Sequence, residues 1–325
     1  MKKVGIIGGA GYTAGELIRI LLHHNRVAID FVYSTSNAGN PFASVHGDLL
    51  GSTDQKFTHE INPDVDVVFL CLGHGNSKSF LTQYQFSEST KIIDLSNDFR
   101  LKNDNTFQGK KFVYGLEELN KEGIKKSRFI ANPGCFATAI ELALLPLAKN
   151  NLLKNDVHIN AVTGATGAGT TLSATTHFTW RDNNFSYYKP FTHQHLEEIT
   201  ESLMQLQPDF SKKLYFMPNR GNFSRGIFAT AYTNFEGKLE DAKKLYQDFY
   251  DNAVFTHISD KPLHLKQVVN TNKCLLHLHK YENKLLITSI IDNLLKGASG
   301  QAVHNMNLMF GFDEREGLKL KGTYF

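Results

Sequence analysis

The stretch VGIIGGAGYTAG, residues 4–15, decides the fold of the N-terminal half of this chain. Its first four residues predict a short buried strand, and the glycines that follow predict a tight turn. A helix with leucine and isoleucine along one side is predicted next over 16–24, and a second strand over 27–33. The order strand, glycine-rich turn, helix, strand is that of a β–α–β unit.

The glycines of this turn have the spacing of a dinucleotide-binding fingerprint. Gly8, Gly11 and Ala14 read G-x-x-G-x-x-A. Glycines let the backbone approach a pyrophosphate, and the N-terminus of the following helix stabilises its charge. We therefore predict cofactor contacts from these three residues and from Tyr12 and Thr13 of the same turn. The alternative is a plain structural turn.

The end of the second predicted strand bears on which cofactor binds. It runs into residues 34–37, STSN, which contain no carboxylate. NAD-specific sites usually place Asp or Glu here, on the ribose 2′-hydroxyl. Hydroxyl and amide groups can accommodate a 2′-phosphate that a carboxylate would repel. The sequence therefore predicts NADP(H), with Ser34 and Ser36 as contacts.

The remaining predicted strands fall into two groups. In the first half they alternate with helices, which predicts a parallel, Rossmann-type sheet covered on both faces. In the second half they are longer, with fewer helices between them, which predicts an α+β domain with a mixed sheet. The boundary is predicted near 132–135. The strands are predicted at 65–72, 91–95 and 128–131, then at 156–163, 225–233, 274–279 and 284–291, and the later helices at 196–205, 239–250 and 300–310.

Composition indicates a globular protein and excludes several classes. The chain has 325 residues, 41% hydrophobic and 21% charged, with a net charge of only +3. Scattered basic residues at so low a net charge do not favour nucleic-acid or membrane-surface binding. No apolar stretch reaches the roughly 18 residues of a membrane span. The N-terminus lacks the pattern of a signal peptide, so we expect a cytoplasmic protein.

Three widely spaced cysteines predict neither a disulfide framework nor a zinc site. Cys71 and Cys274 lie in apolar runs and are predicted to pack in strands. Cys135 differs, because the turn Asn-Pro-Gly precedes it and an apolar helical run follows over 139–148. Unpaired N–H groups and the positive end of the helix dipole favour a thiolate at such a position. The alternative is a small buried residue that opens a helix.

A reactive thiol and a nicotinamide together indicate one chemistry. The thiolate attacks an activated acyl carbon, and hydride passes between that carbon and the nicotinamide. His193 and His195 are the candidate acid/base residues, on a loop that leads into the helix at 196–205. Residues two apart do not share a helix face, so we expect only one to reach the sulfur. A solvated loop or a weak metal site is the alternative.

An acyl phosphate would need cationic and hydroxyl partners. Ser96 and Arg100 lie just after a predicted strand, and Arg225 is a second option. Arginine binds phosphate through two parallel hydrogen bonds. A salt bridge to a nearby acid is the alternative for both arginines.

Taken together, these segments resemble the N-acetyl-γ-glutamyl-phosphate reductase family, which is related to aspartate-semialdehyde and glyceraldehyde-phosphate dehydrogenases. The resemblance runs nearly end to end, and its cysteine block and its last block are highly specific. The matching segments are GGAGYTAG at 8–15, DLSNDFR at 94–100, YGL at 114–116, NPGCFAT at 132–138, GATGAG at 164–169, FTHQH at 191–195, GNFSRGI at 221–227 and DNLLKGASGQAV at 292–303.

The resemblance implies NADPH-dependent reduction of an N-acyl-γ-glutamyl phosphate to its semialdehyde in arginine biosynthesis, with release of phosphate. It implies that Cys135 is the nucleophile, that Asn132 contacts substrate, and that Gly167 and Asn293 lie near the cofactor. It also implies a C-terminal helix that returns to the first domain. The resulting domains are 1–134 with 298–325 for the dinucleotide, and 135–297 for catalysis and dimerisation. A homodimer or homotetramer without metal is expected.

Two alternatives stay open. Aspartate-semialdehyde dehydrogenase would use the same chemistry on a shorter substrate. A non-catalytic NADP-sensing module would keep the fold without the reaction. The sequence also leaves open whether the N-acyl group is acetyl or a larger acidic group such as succinyl.

Overall fold

The computed structural model describes residues 1–325 and divides into two units. The first comprises Met1–Pro133 and Ala298–Lys319, and the second comprises Gly134–Gly297 and Leu320–Phe325. The helices are α1 Tyr12–Leu21, α2 Ser77–Gln83, α3 Glu117–Lys126, α4 Cys135–Lys149, α5 Phe178–Arg181, α6 His195–Leu206, α7 Leu239–Tyr250 and α8 Gly300–Phe310. The strands are β1 Lys2–Ile7, β2 Val27–Tyr33, β3 Val67–Leu70, β4 Lys91–Asp94, β5 Thr106–Phe107, β6 Lys110–Lys111, β7 Val113–Tyr114, β8 Phe129–Ala131, β9 Val157–Thr163, β10 Ser186–Tyr187, β11 Leu214–Arg220, β12 Ile227–Asn234, β13 Thr256–Ser259, β14 Cys274–Tyr281 and β15 Lys284–Ile291.

The first unit is built on a six-stranded sheet in the order β2-β1-β3-β4-β8-β7. Every pair of neighbours is parallel, which confirms the predicted Rossmann-type sheet. Strands such as β3 are apolar and buried throughout, as expected for a sheet covered on both faces. Helix α1 starts at Tyr12, earlier than the predicted 16, because the extended backbone of Gly11 caps it directly after the turn.

Helix α8 lies in the first unit, which confirms the predicted return of the C-terminal helix. Its amides hold it there, since Gln301 and Asn305 both donate to the carbonyl of Gly115. The prediction that all of 298–325 belongs to this domain is wrong for the last six residues. They belong to the second unit, where the N–H of Thr323 donates to Val269 and Asn270 donates to the carbonyl of Lys321.

The second unit contains a seven-stranded sheet in the order β10-β11-β9-β12-β15-β14-β13. Both parallel and antiparallel pairs occur, which confirms the predicted mixed sheet. Strand β11 was not predicted, and Pro218 inside it is a residue that sequence reasoning assigns away from sheet interiors. Its register with β9 carries Arg220 to the end of the sheet beside Thr163.

Helix α4 forms the centre of the second unit and is buried from Phe136 to Ala148. Pro146 lies within it and removes the N–H that would bond the carbonyl of Leu142. The hydroxyl of Tyr250, at the end of α7, donates to that carbonyl at 2.5 Å. The tyrosine therefore satisfies an acceptor that the proline leaves without its helical partner.

Candidate active site

Cys135 is the first residue of α4, and two glycines, Gly134 and Gly297, lie against it. Gly134 caps the helix with extended backbone, and no side chain caps the first N–H groups. A Cβ added to Gly297 would lie 2.8 Å from the Cβ of Cys135, so only glycine fits against the thiol-bearing residue. Cys135 is partly exposed rather than sealed in the core. These features suit a thiolate at a helix N-terminus.

Both predicted imidazoles lie beside the residue that follows the cysteine. The ring centroids of His193 and His195 are 5.5 and 6.4 Å from that of Phe136, and 4.6 Å from each other. His195 is the first residue of α6 rather than part of the preceding loop. His193 lies outside the helix and packs on the same ring as His195, and the expectation that only one imidazole reaches the sulfur stays a prediction.

The two histidines have different electrostatic surroundings. Burial, and secondly the charge of Lys189, lower the pKa of His193 to about 4. The N–H of His195 donates to Nδ1 of His193 at 3.2 Å, so the neutral ring carries its proton on Nε2. Nε2 of His195 lies 3.9 Å from the Glu198 carboxylate, whose other oxygen accepts the N–H of Gly134.

Glu198 was missed by the sequence analysis as a site residue. Its signal was the spacing, since it stands three residues after His195 on the same helix face. It is buried and joins the acid/base candidates to the turn that presents the thiol.

Tyr188 and Arg220 were also missed. The Tyr188 ring packs edge-on against His193, with centroids 5.8 Å apart. Burial, and secondly the proximity of Cys135, raise the pKa of Tyr188 to about 12. The Arg220 guanidinium lies over the same ring at 4.9 Å. Tyr188 and Arg220 are 32 residues apart, so no local sequence pattern predicts their contact.

Gly167 and Asn293, both predicted to contact the cofactor, lie close together in the second unit. A Cβ on Gly167 would lie 4.0 Å from Nδ2 of Asn293. The Asn293 amide donates to Thr166 at 3.0 Å and accepts the N–H of Gly226 at 2.7 Å. It therefore holds the 164–169 turn, and its cofactor contact stays a prediction.

Arg225 forms the salt bridge that was the alternative to phosphate binding. Its Nε and Nη2 donate to the buried Asp292 at 3.0 and 3.2 Å. The same carboxylate accepts the N–H groups of Asn270, Leu294 and Leu295. This ion pair favours a structural role for Arg225 over the predicted phosphate contact.

In the first unit, the glycine turn has the geometry that the fingerprint requires. Gly8 has a φ of +84°, and a Cβ there would meet the carbonyl oxygen of Cys71 at 2.6 Å. Gly11 and Ala14 follow at the start of α1, with Tyr12 exposed and the carbonyl of Thr13 accepting a hydrogen bond from Ser299. The turn therefore fits a pyrophosphate at the helix N-terminus.

The segment after β2 presents hydroxyls and an amide without a carboxylate. Asn37 donates to Ser34 at 3.4 Å and to Ser36 at 2.9 Å. Ser34 is buried and Ser36 is exposed. This set of donors and acceptors fits a ribose 2′-phosphate.

Ser96 and Arg100 are buried beside Asp94 in one polar network. The Ser96 hydroxyl donates to Asp94 at 2.7 Å, and Ser77 donates to the same carboxylate at 2.6 Å. Burial raises the pKa of Asp94 to about 6 in spite of these donors and of Arg100. Arg100 also donates to the carbonyl of Leu95 at 3.0 Å. Phosphate binding by Ser96 and Arg100 stays a prediction.

The Asn132 amide is engaged at both ends within the first unit. Its Nδ2 donates to the carbonyl of Ala298 at 3.0 Å, and its Oδ1 accepts from Asn305 at 3.1 Å. Asn132 therefore fixes the end of the strand that precedes the cysteine turn. Its substrate contact stays a prediction.

The other cysteines contrast with Cys135. Burial raises the pKa of the Cys71 thiol to about 12, and Cys274 is buried in β14. No cluster of His, Cys, Asp and Glu side chains is arranged to hold a metal ion. None of the helices combines the length and the apolar character needed to cross a membrane.

Two family models match this chain, one in each half. The semialdehyde dehydrogenase NAD binding domain matches residues 3–127, which confirms dinucleotide binding by the first unit. The semialdehyde dehydrogenase dimerisation domain matches residues 135–293. Among solved structures, aspartate semialdehyde dehydrogenase II from Vibrio cholerae shares the fold, with a TM-score of 0.71 at 15% identity over 96% of this chain and 99% of that one. The Candida albicans aspartate semialdehyde dehydrogenase with NADP has a TM-score of 0.71 at 16% identity, over 95% of this chain and 98% of that one.

Curated relatives are far more similar in sequence. N-acetyl-gamma-glutamyl-phosphate reductase from Christiangramia forsetii is 69% identical, and that from Flavobacterium johnsoniae is 64% identical. The reductase from Parabacteroides distasonis is 56% identical. Each alignment covers 100% of both chains. This chain is therefore an oxidoreductase and belongs to the N-acetyl-γ-glutamyl-phosphate reductase family.

Proposed function

We propose that this chain uses NADPH to reduce an N-acyl-γ-glutamyl phosphate to the semialdehyde, with release of phosphate, as a cytoplasmic step of arginine biosynthesis. The observation that carries this is Cys135 at the first position of α4, with two imidazoles packed on the next residue. The names of relatives that align over the full chain support the N-acetyl substrate over the shorter aspartyl one.

The proposed reaction begins when the Cys135 thiolate attacks the acyl carbon. The C–S bond forms as the bond from carbon to the phosphate oxygen breaks, which leaves a thioester and inorganic phosphate. Bound NADPH supplies a hydride to the thioester carbon. Breaking the C–S bond then returns the thiolate and releases the aldehyde. The uncapped N–H groups of α4 stabilise the thiolate in its resting state.

The two imidazoles suit different tasks in this scheme. The neutral His193 ring, with its proton on Nε2, can donate a hydrogen bond to the oxygen that becomes negative during attack and hydride addition. His195 can take the proton of the thiol, with Glu198 as its ion-pair partner once it is charged. The thiol proton then has an acceptor inside the second unit.

The segment after β2 supports NADP(H) over NAD(H). Ser34, Ser36 and Asn37 offer hydrogen-bonding groups and no negative charge. We expect kcat/KM to be at least about tenfold higher with NADPH than with NADH. Replacement of Ser36 by Asp should reduce or reverse this preference, because a carboxylate repels the 2′-phosphate. Equal use of both cofactors by the unaltered protein would contradict the proposal.

An exposed face of the second sheet supports a homodimer. His158 stacks between Tyr215 and Tyr232 at centroid distances of 5.2 and 5.0 Å, because the three residues are in register on β11, β9 and β12. With Met217 and Phe191 they line a mostly apolar concavity of about 410 Å³. Light scattering should give a dimer or a tetramer, and Tyr232→Asp should yield smaller species. A monomeric unaltered protein would contradict this.

The function is best tested in the oxidative direction. Purified protein is mixed with NADP⁺, phosphate and one of three aldehydes, namely N-acetylglutamate semialdehyde, N-succinylglutamate semialdehyde or aspartate semialdehyde. We expect phosphate-dependent NADPH formation with an N-acyl aldehyde and much slower turnover of aspartate semialdehyde. Turnover of aspartate semialdehyde alone would replace this proposal by the shorter-substrate reaction.

Labelling with iodoacetamide tests the thiol without turnover. Cys135 should react at least about tenfold faster than Cys71 at neutral pH, because the Cys71 thiol has a pKa of about 12. Substrate should protect Cys135. Equal labelling of both cysteines would contradict the covalent route.

A further inference from the structure

Two neighbouring arginines, one of which lies over the Tyr188 ring, have no acidic partner. Arg220 ends β11, and Arg181 lies in α5 with 7% of its surface exposed. Arg181 donates to the carbonyl of Arg220 at 2.8 Å and to the Ser186 hydroxyl at 3.2 Å. These bonds fix the side chain of Arg181 against the backbone of Arg220.

The charges of these arginines are not matched by the protein. Arg225 pairs with Asp292, but neither Arg181 nor Arg220 forms an ion pair with Asp or Glu. Arg220 has a side-chain hydrogen bond with Tyr188, and the Nε atoms of both arginines are buried without a hydrogen-bond partner. Burial, and secondly the charge of Arg220, lower the pKa of Arg181. A buried cation without a partner costs free energy unless another group supplies the anion. Arg181 is such a cation, and Arg220 next to it is half-buried, so the pair is suited to hold an anion.

A series of ring contacts links Arg220 to Phe136, the residue that follows Cys135. The Arg220 guanidinium lies 4.9 Å from the Tyr188 ring, which packs against His193, which in turn packs against Phe136. Cys135 is the residue next to Phe136. The Tyr188 ring therefore lies between the Arg220 guanidinium and the imidazole of His193.

We propose that Arg181 and Arg220 bind a carboxylate of the substrate other than the acyl group that reacts with Cys135. The inference rests on the proposed function, because it takes the substrate to be an N-acyl-glutamyl compound. Arginine recognises carboxylate through paired, charge-assisted hydrogen bonds. The carboxylate has two possible sources, the α-carboxylate of the glutamyl part or an acidic N-acyl group such as succinyl.

Arg220→Leu tests this with N-acetyl- and N-succinylglutamate semialdehyde in the oxidative assay. We expect KM to rise about 10- to 100-fold while kcat changes by less than about threefold, because a charge-assisted contact is lost. Arg220→Lys should recover part of the affinity, since the charge remains. A rise in KM with both aldehydes identifies the α-carboxylate as the bound group. A rise in KM with the succinyl compound alone identifies the carboxylate of the acyl group. An unchanged KM with both would overturn the proposal.

Calorimetric binding separates this inference from the proposed function. The unaltered protein, Arg220→Leu and Arg181→Leu are titrated with N-acetylglutamate and N-succinylglutamate, which need no turnover. Binding that is lost in both variants supports the carboxylate site even if neither aldehyde is oxidised, in which case only the proposed function fails. Equal binding by all three proteins overturns the site. Arg128→Leu, which removes an exposed charge in the first unit, is the matched control and should bind normally.

Discussion

The polar network around Asp94 and the cluster around Cys135 come from equally conspicuous motifs but differ in how their hydrogen bonds are used. In the first, the Asp94 carboxylate accepts from Ser77 and Ser96. The arginine of this network, Arg100, lies beside that carboxylate, whereas Arg181 and Arg220 in the second region have no acidic partner. The first network places its arginine beside a carboxylate, whereas the second leaves two arginines without one.

The difference matters because buried polar groups normally find partners inside the protein. A motif rich in Ser, Asp and Arg can serve either purpose, and only the contacts distinguish them. Arg225 illustrates the point, since its guanidinium is engaged by Asp292. The site is therefore better identified by cations that lack an acidic partner near the thiol than by the number of polar residues in a motif.

The largest expected effect is that of Cys135→Ser. Activity should fall at least about 10³-fold, because an alkoxide is far harder to form than a thiolate. NADPH should still bind, which fluorescence titration can measure. Cys274→Ala, which truncates a buried cysteine of the same unit, should keep most of the activity. Substantial turnover by Cys135→Ser would end the covalent mechanism.

His193→Asn and His195→Asn, made separately, come next. At least one should lose about 10²- to 10⁴-fold in kcat/KM, the usual contribution of acid/base catalysis. Burial lowers the pKa of His193 to about 4, so we do not expect an acid limb near neutral pH to come from it. If that limb is present in the unaltered protein and disappears in His195→Asn, His195 is the proton acceptor. Near-normal rates in both variants would exclude both residues.

Much of the first unit could be predicted because its signals are local. The strand β2 matches its predicted range of 27–33, since an apolar run ends at residues that favour turns. The need for glycine at Gly8 follows from a positive φ and a close approach that the turn imposes. Helices α2 and α3 were not predicted, because their apolar faces are short and α3 is interrupted at Asn120.

The candidate site could be predicted only in part. Cys135, His193 and His195 follow from residue type and sequence spacing. Tyr188, Glu198 and Arg220 become neighbours of these residues through packing and through the register of β11, which contains Pro218. Glu198 had a local signal in its spacing from His195, whereas tertiary contacts alone bring Arg220 beside Tyr188.

Ser96→Ala tests the polar network around Asp94 in the first unit. We expect the free energy of unfolding to fall by about 1–3 kcal/mol, because the buried Asp94 loses a donor. The KM for phosphate should change by less than about threefold if the hydroxyl is structural. Urea unfolding and phosphate titration measure the two quantities. A tenfold or larger rise in the KM for phosphate, with normal stability, would return Ser96 to the phosphate site.

The smallest expected effect is that of Glu314→Gln. Glu314 accepts hydrogen bonds from His304 and Lys121 in the first unit. Burial raises the pKa of Glu314, but hydrogen bonds from His304 and Lys121 outweigh it and lower the pKa to about 2. The unfolded value is near 4.5, so the carboxylate stabilises the fold above pH 4.5 and this contribution is lost as pH falls towards 2.

Partial exposure reduces the effect of Glu314→Gln to about 1–2 kcal/mol at pH 7. The difference from the unaltered protein should shrink steadily between pH 4.5 and 3 in urea titrations. Glu122→Gln breaks an exposed pair with Lys125 and should have no measurable effect. If Glu314→Gln instead behaves like Glu122→Gln at pH 7, this network contributes no more than a surface ion pair. The contacts of Glu314 with His304 and Lys121 would then fix the local geometry without stabilising the fold measurably.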